Sequence, residues 1–305
     1  MFGKKKTAII IPARYGSSRL EGKPLLVAGG KPIIQWVYEK AKQAKEVDAV
    51  IVATDDERIF NAVKAFGGDV EMTSVNHKCG SDRIKEVADR HKDFEYIINL
   101  QGDEPMIKVD YIEAVIDGVK NHNADISTLI CPIKDKEDVE KPQLVKCVID
   151  NNGFALYFSR SKIPFERNEN PAPFYGHIGI YGYTREALVK MTTSHQTPLE
   201  IAESLEQLRA LQMGMKIKTA IVNEKPVGID TKEDFEEFGQ TMDKAQRKEL
   251  SKEELDNIYL TTTDQLEIIN KLKTDNTTAK EVEQYMKKIK KDLQNEKDIT
   301  EEEAI

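Results

Sequence analysis

The chain has 305 residues, 39% of them hydrophobic and 32% charged, with a formal net charge of −8. That length suits one large α/β domain or two modest ones. The acidic balance argues against a partner gripped through its phosphate backbone, so no nucleic acid is expected, while local basic residues still allow a small anion.

The three cysteines, Cys79, Cys131 and Cys147, have neither metal-ligand nor disulfide-framework spacing. The apolar run after the basic start is too short for a signal peptide, and no stretch approaches a membrane span. A cytoplasmic protein without membrane insertion is expected.

Apolar runs then alternate with helical patterns. Residues 7–11 form a continuous apolar run, as in a strand buried on both faces. Helical spacing over 33–44 leads to a strand at 47–54, then to a helix over 55–67 stopped by Gly67 and Gly68. Strands are predicted at 70–73, 96–100 and 125–131, with helices over 81–91 and 109–120 between them. This alternation predicts an α/β fold with a doubly wound, mostly parallel sheet. Ligands in such sheets bind beyond the carboxyl ends of the strands, so the loops after residues 11, 54 and 100 should meet at one crevice.

From 144 to 183 three short strands follow one another without helices, which predicts an added antiparallel layer. Residues 198–213 read as one helix, 217–222 as a strand and 231–244 as a helix. From about residue 246 the chain is highly charged. It reads as a solvated helical extension (246–305) to a 1–245 α/β domain.

Five segments carry chemistry. The first, ARYGSSRLEGKPL (13–25), follows the first strand and holds Arg14, Ser17, Arg19 and Lys23 between and beside Gly16 and Gly22. Guanidinium forks, a lysine and loop N–H groups suit a triphosphate. It is not a Walker A loop: five residues part the two glycines, and Pro24 stands where that loop needs Ser or Thr.

The second is NLQGDEP (99–105), which places Asp103 and Glu104 at the crevice; a magnesium ligand and a simple turn are equally good accounts of it alone. In the third, VGIDT (227–231), Asp230 is a possible second ligand, but taken alone a helix cap is the better reading.

In the fourth, HKCGSDRI (77–84), Gly80 and Ser81 open a helix near a base or ribose, while Arg83 is either a ligand contact or structural. The fifth pairs His177 with Glu203, Glu206 and Gln207, three residues of one helical face if 198–213 is a single helix; a lone histidine is more often a packing residue.

Eight segments in order, IIPARYGSSRLEGKPL, VIVATDDERI, FGGDVEMTS, INLQGDEPMI, ALYFSRSKIPF, HIGIYGY, LEQLR and VGIDTKEDFE, closely resemble the 3-deoxy-manno-octulosonate cytidylyltransferases (CMP-Kdo synthetases) over about residues 7–240. The resemblance implies a nucleotide-diphospho-sugar transferase-like fold. The implied reaction joins CTP and Kdo to give CMP-Kdo and pyrophosphate for lipopolysaccharide or capsule synthesis.

By this resemblance Arg14, Ser17, Arg19 and Lys23 bind the CTP phosphates, Gly80, Ser81 and Arg83 surround the nucleotide with Gln101, and Asp103 and Asp230 hold Mg2+. Gln101, Arg160, His177, Glu206 and Gln207 face the sugar. A homodimer built through the antiparallel region at 132–185 is also implied. Glu21 and Cys79 depart from the pattern, where proline and a small hydroxyl residue are common, and the extension has no counterpart. Rival readings are a cytidylyltransferase for an 8-amino-Kdo analogue or a nonulosonic acid, and a non-catalytic nucleotide-binding scaffold.

Overall fold

The computed structural model describes residues 5–16, 20–77, 79–168 and 172–253, with 243–253 as backbone only. The predicted phosphate contacts Ser17 and Arg19, and the extension beyond residue 253, lie outside the described residues. Contacts divide the chain into Met1–Asp243 and Lys244–Ile305, and the first unit holds everything discussed below.

Strand β1 (Lys6–Ala13) is followed by a 3-10 turn (Lys23–Leu25), a small hairpin of β2 (Val27–Ala28) and β3 (Lys31–Pro32), and helix α1 (Ile33–Gln43). Then come β4 (Ala49–Thr54), α2 (Glu57–Ala65), β5 (Val70–Met72), α3 (Gly80–Arg90), β6 (Phe94–Asn99), α4 (Val109–Asn121) and β7 (Ile126–Pro132). The second half adds α5 (Lys136–Val139), β8 (Lys146–Ile149), β9 (Ala155–Ser159), β10 (Tyr175–Thr184), α6 (Arg185–Thr193), α7 (Pro198–Glu203), α8 (Gln207–Gln212), β11 (Ile217–Ile221) and α9 (Lys232–Glu253).

The main sheet runs β11-β7-β10-β6-β1-β4-β5. β1 pairs in parallel with β4 and β6, and β5 extends this half in parallel. β10 enters antiparallel between β6 and β7, and carries β8 and β9 as a flanking antiparallel ladder. The mostly parallel doubly wound sheet with an antiparallel layer is therefore present.

The alternation of β1 explains why its run is apolar throughout. Ile9 and Ile11 enter a core shared with Ile34 and Val37 of α1, Ile59 of α2 and Ile112 of α4. Ala8 and Ile10 enter the opposite core, with Ile84 and Val87 of α3, Leu188 of α6 and Leu208 of α8. Both faces of the strand are thus dry, as a parallel sheet requires.

A third, smaller cluster joins Ile33 to Ile229 and Phe238, with Trp36 against it. Trp36 meets Phe238 edge-on at 6.2 Å between centroids, and its indole N–H donates to Ala28 O at 2.9 Å. This cluster docks α9 onto α1 and fixes the loop before it.

One predicted element is overturned. The stretch 198–213 is two short helices, because Ser204 takes a left-handed conformation (φ 51°) and ends α7 there. Glu203 and Glu206 therefore do not share a helical face. Helix α6 and the β2–β3 hairpin have no counterpart among the predicted elements.

Candidate active site

The carboxyl ends of β1 and β6 open into a crevice of about 440 Å³, lined by Pro12, Ala13, Arg14, Gly16, Lys23, Pro24, Gln101, Gly102 and Asp103. Two of the three loops predicted to meet here line it. The third, after β4, leads into α2, whose Arg58 lies 3.2 Å from the centroid of the Tyr15 ring and braces the loop that follows β1.

Gly22 closes that loop. Its φ of 67° is open to glycine at little cost, and its N–H donates to Tyr15 O at 2.9 Å. A Cβ at Gly102 would lie 3.1 Å from Pro12 O, so the β6 loop approaches β1 through a bare glycine.

Asp103 and Asp230, distant in the chain, meet beside this loop. Lys23 Nζ lies 2.9 Å from Asp103 Oδ2 and 3.3 Å from Asp230 Oδ1. The lysine is only 7% exposed, while the two carboxylates retain access to solvent. Backbone pairing makes the meeting durable: Ile229 N donates to Asp103 O at 2.9 Å.

The cap of α9 is made by other residues. Asp234 N donates to Thr231 Oγ1, and Asp234 Oδ2 accepts from the N–H groups of Asp230 and Thr231. The Asp230 carboxylate turns to Lys23. Next to Asp103, burial first and the Asp103 charge second push the Glu104 carboxyl up to about 7, and its buried Oε2 has no hydrogen-bond partner among the described residues.

Helix α3 begins against the same crevice, and a Cβ on Gly80 would lie 3.4 Å from Pro12. Ser81 Oγ donates to Glu206 Oε2 at 3.0 Å, and Cys79 Sγ lies 3.8 Å from Glu206 Oε1. Burial pushes the Cys79 thiol up to about 12, so it stays protonated and unreactive. Burial also raises the Glu206 carboxyl, against the Ser81 hydrogen bond that lowers it.

Arg83 is 1% exposed and committed to Asp55 Oδ2 (2.7 Å) and Thr73 Oγ1 (2.5 Å), tying α3 to the ends of β4 and β5. The guanidinium of Arg160 donates to the carbonyls of Glu203, Pro142 and Ser204, and Glu203 in turn accepts from Ser159 and Arg160 N.

His177 is enclosed. Its Nε2 is 3.1 Å from Thr128 Oγ1, which also lies 2.8 Å from Ile180 O, and its ring packs against Phe158 and Tyr181. Burial, helped by the Lys225 charge, lowers its pKa to about 3, so the ring is neutral near pH 7. β10 shifts register between Ile178 and Tyr181, and Gln101 Nε2 reaches the Gly179 carbonyl of this irregular stretch at 3.4 Å. Gln207 is buried beside Leu208.

The crevice therefore joins Arg14, Lys23, Gln101, Asp103 and Asp230 in one place, with Gly80 behind it and Ser81 linked to Glu206. Arg83 and Arg160 are spent on internal partners. Sequence reading missed Thr128 and Tyr181, which stand in runs read as core. The signal available was the pair of hydroxyl residues interrupting the apolar run ISTLIC.

The family model for cytidylyltransferases matches residues 8–217. The chain belongs to the cytidylyltransferase family. It is 49% identical over 243 residues to a 3-deoxy-manno-octulosonate cytidylyltransferase of Thermodesulfovibrio yellowstonii, spanning 75% of this chain and 95% of the relative. It is also 49% identical over 231 residues to an 8-amino-3,8-dideoxy-manno-octulosonate cytidylyltransferase of Shewanella woodyi, spanning 74% and 94%.

Among solved structures this cytidylyltransferase is similar to a CMP:2-keto-3-deoxy-manno-octonic acid synthetase complexed with CTP. The TM-score is 0.75 at 45% identity, covering 79% of this chain and 99% of that one. The resemblance carried by the eight motifs is thus borne out, and the matched region excludes most of the charged extension.

Proposed function

We propose that the chain transfers CMP from CTP to the anomeric hydroxyl of Kdo and releases pyrophosphate, in the service of lipopolysaccharide or capsule synthesis. The single observation that carries this reading is the convergence of Asp103 and Asp230 on Lys23 at the mouth of a crevice lined by Arg14 and Gly16. The bond from the sugar oxygen to the α-phosphorus forms as the bond to the β-bridging oxygen breaks. Pyrophosphate leaves with the electron pair, and the hydroxyl proton passes to solvent.

Magnesium fits this corner. A lysine ammonium already stands as a cation between two hard oxygen donors, and Mg2+ is commonly held by one or two carboxylates with phosphate and water completing its shell. Asp103 and Asp230 would hold the ion, which when bound would neutralise charge on the α-phosphate.

The protein's own part is positional. Arg14 and Lys23, with Ser17 and Arg19 of the same loop, bind and neutralise the triphosphate. Gly80 and Ser81 at the start of α3, with Gln101, shape the nucleotide side, and Arg83 keeps α3 in place through Asp55. Gln101, His177, Glu206 and Gln207 offer the sugar hydrogen bonds, with Arg160 at the edge of this region.

One observation favours a second sugar: the 8-amino relative is as similar as the Kdo relative. Pyrophosphate release with CTP and a panel of Kdo, 8-amino-Kdo and a nonulosonic acid tests the reading. Kdo is expected to give the highest kcat/KM, and release with none of the three would favour a non-catalytic scaffold.

The dimer implied by the resemblance also belongs to this proposal. Its support is the apolar surface at Leu156 (61% exposed) and Phe165 (86% exposed) in the antiparallel region. Sedimentation at micromolar concentration is expected to give twice the chain mass. No helix among the described residues is long and apolar enough to cross a membrane.

A further inference from the structure

The stem of Lys23 is buried, and its ammonium lies on one oxygen of each of Asp103 and Asp230. The turn it opens is anchored on both sides: Gly22 N donates to Tyr15 O, and Leu25 N donates to Gly22 O at 2.8 Å. The main chain that carries the two carboxylates is tied as well, since Ile229 N donates to Asp103 O. Thus three charged groups are held together by backbone, and the side chain of Lys23 is the movable part.

A divalent ion on the same two carboxylates would sit about 2.1 Å from its oxygens. The ammonium, 2.9 and 3.3 Å from those oxygens, would then be pressed against a second cation. Two positive charges this close repel strongly, even at the moderate effective dielectric of a half-exposed site. They cannot share the pair in this arrangement.

We propose that Lys23 is a resident counter-cation: it neutralises the Asp103–Asp230 pair until a divalent metal replaces it, and the triphosphate favours that exchange by drawing the ammonium onto its own oxygens. This inference rests on the reading of Asp103 and Asp230 as the metal pair. It assigns Lys23 a role that phosphate binding alone does not require. The nucleotide-free protein should bind metal weakly, and metal and nucleotide should each strengthen the binding of the other by the same factor.

The test is Mn2+ binding, as a spectroscopic stand-in for Mg2+, to the nucleotide-free full chain, read by the electron paramagnetic resonance signal of free Mn2+. Lys23→Met is expected to bind Mn2+ at least about tenfold more tightly than wild type. Lys23→Arg keeps the charge and is expected to show no gain, and adding Asp103→Asn to Lys23→Met is expected to abolish the gain. Equal or weaker Mn2+ binding by Lys23→Met overturns the proposal.

A second measurement needs no variant. Amine acetylation of Lys23 in wild type, followed by mass spectrometry, is expected to speed up severalfold when Mn2+ is added, because the displaced ammonium reaches solvent; unchanged or slower labelling overturns the proposal, whether or not Lys23→Met folds. The underlying reading is checked separately. Pyrophosphate release should stop with EDTA, return with Mg2+ and be lost in Asp103→Asn. If that holds while Mn2+ binding and labelling do not respond as described, the resident-cation role alone fails.

Discussion

At the mouth of the crevice Lys23, Asp103 and Asp230 form an ion-paired trio, while around the neighbouring β10 and α8 burial pushes His177 and Glu206 toward their neutral forms. The first region can exchange one cation for another because every partner is charged. The second holds its shape through hydrogen bonds and ring contacts, and a charge introduced there would be expensive. Under the proposed function, the triphosphate would meet the first environment and the polyhydroxylated sugar the second.

The contrast can be broken most severely at its charged end. Asp103→Asn is expected to lower kcat for pyrophosphate release by about 10³-fold, comparable to removing one preorganised electrostatic group, with an unchanged far-UV circular dichroism spectrum. A variant within a few-fold of wild type would remove Asp103 from the chemistry.

The enclosed end is tested by pH. The folded-state pKa of His177 is lowered to about 3, while the unfolded chain titrates near 6.5. Its contribution to stability is therefore complete above pH 6.5 and is lost as pH falls toward 3, because the unfolded state takes up a proton that the folded state refuses. Between pH 7 and pH 5 this amounts to about 2 kcal/mol. Urea unfolding of His177→Gln should show a profile flatter by that amount; an identical profile would mean that the ring is protonated or solvated in the folded protein.

The smallest effect is expected at Glu206. Replacing it with alanine removes the acceptor for Ser81 Oγ. The sugar KM should rise by about tenfold, in line with the loss of one buried hydrogen-bonding partner, while the CTP KM holds. A rise confined to the CTP KM would move Glu206 to the nucleotide side.

The two regions were unequally readable from the chain. The loop after β1 announces itself through glycines and cations next to an apolar strand, and QGDEP through its place after another. The meeting of Asp103 and Asp230 beside this loop was expected through the family resemblance; what local pattern could not give was the direct pairing of Lys23 with both, since each pairing spans a large part of the chain and depends on sheet order. VGIDT was ambiguous for a local reason: Asp230 and Thr231 both suit a cap, and only the structure shows Thr231 and Asp234 taking that work.

The enclosed region was harder. His177, Thr128 and Tyr181 lie on strands whose pattern reports burial and nothing about the hydroxyl and ring nitrogen they bring together. The break at Ser204 was invisible to helical periodicity because the residues on either side are good helix formers. A non-glycine residue with positive φ carries no compositional mark.

The clasp between Trp36 and Phe238 has a consequence for how the catalyst matures. Asp230 arrives on a segment secured by the Ile229 N–H on Asp103 O and by α9 lying on α1, so a nascent chain that has already assembled β1 through β11 still lacks one wall of its charged corner. Biosynthesis would thus yield a folded but inert precursor first. Competence would come with the last stretch of this unit to leave the ribosome.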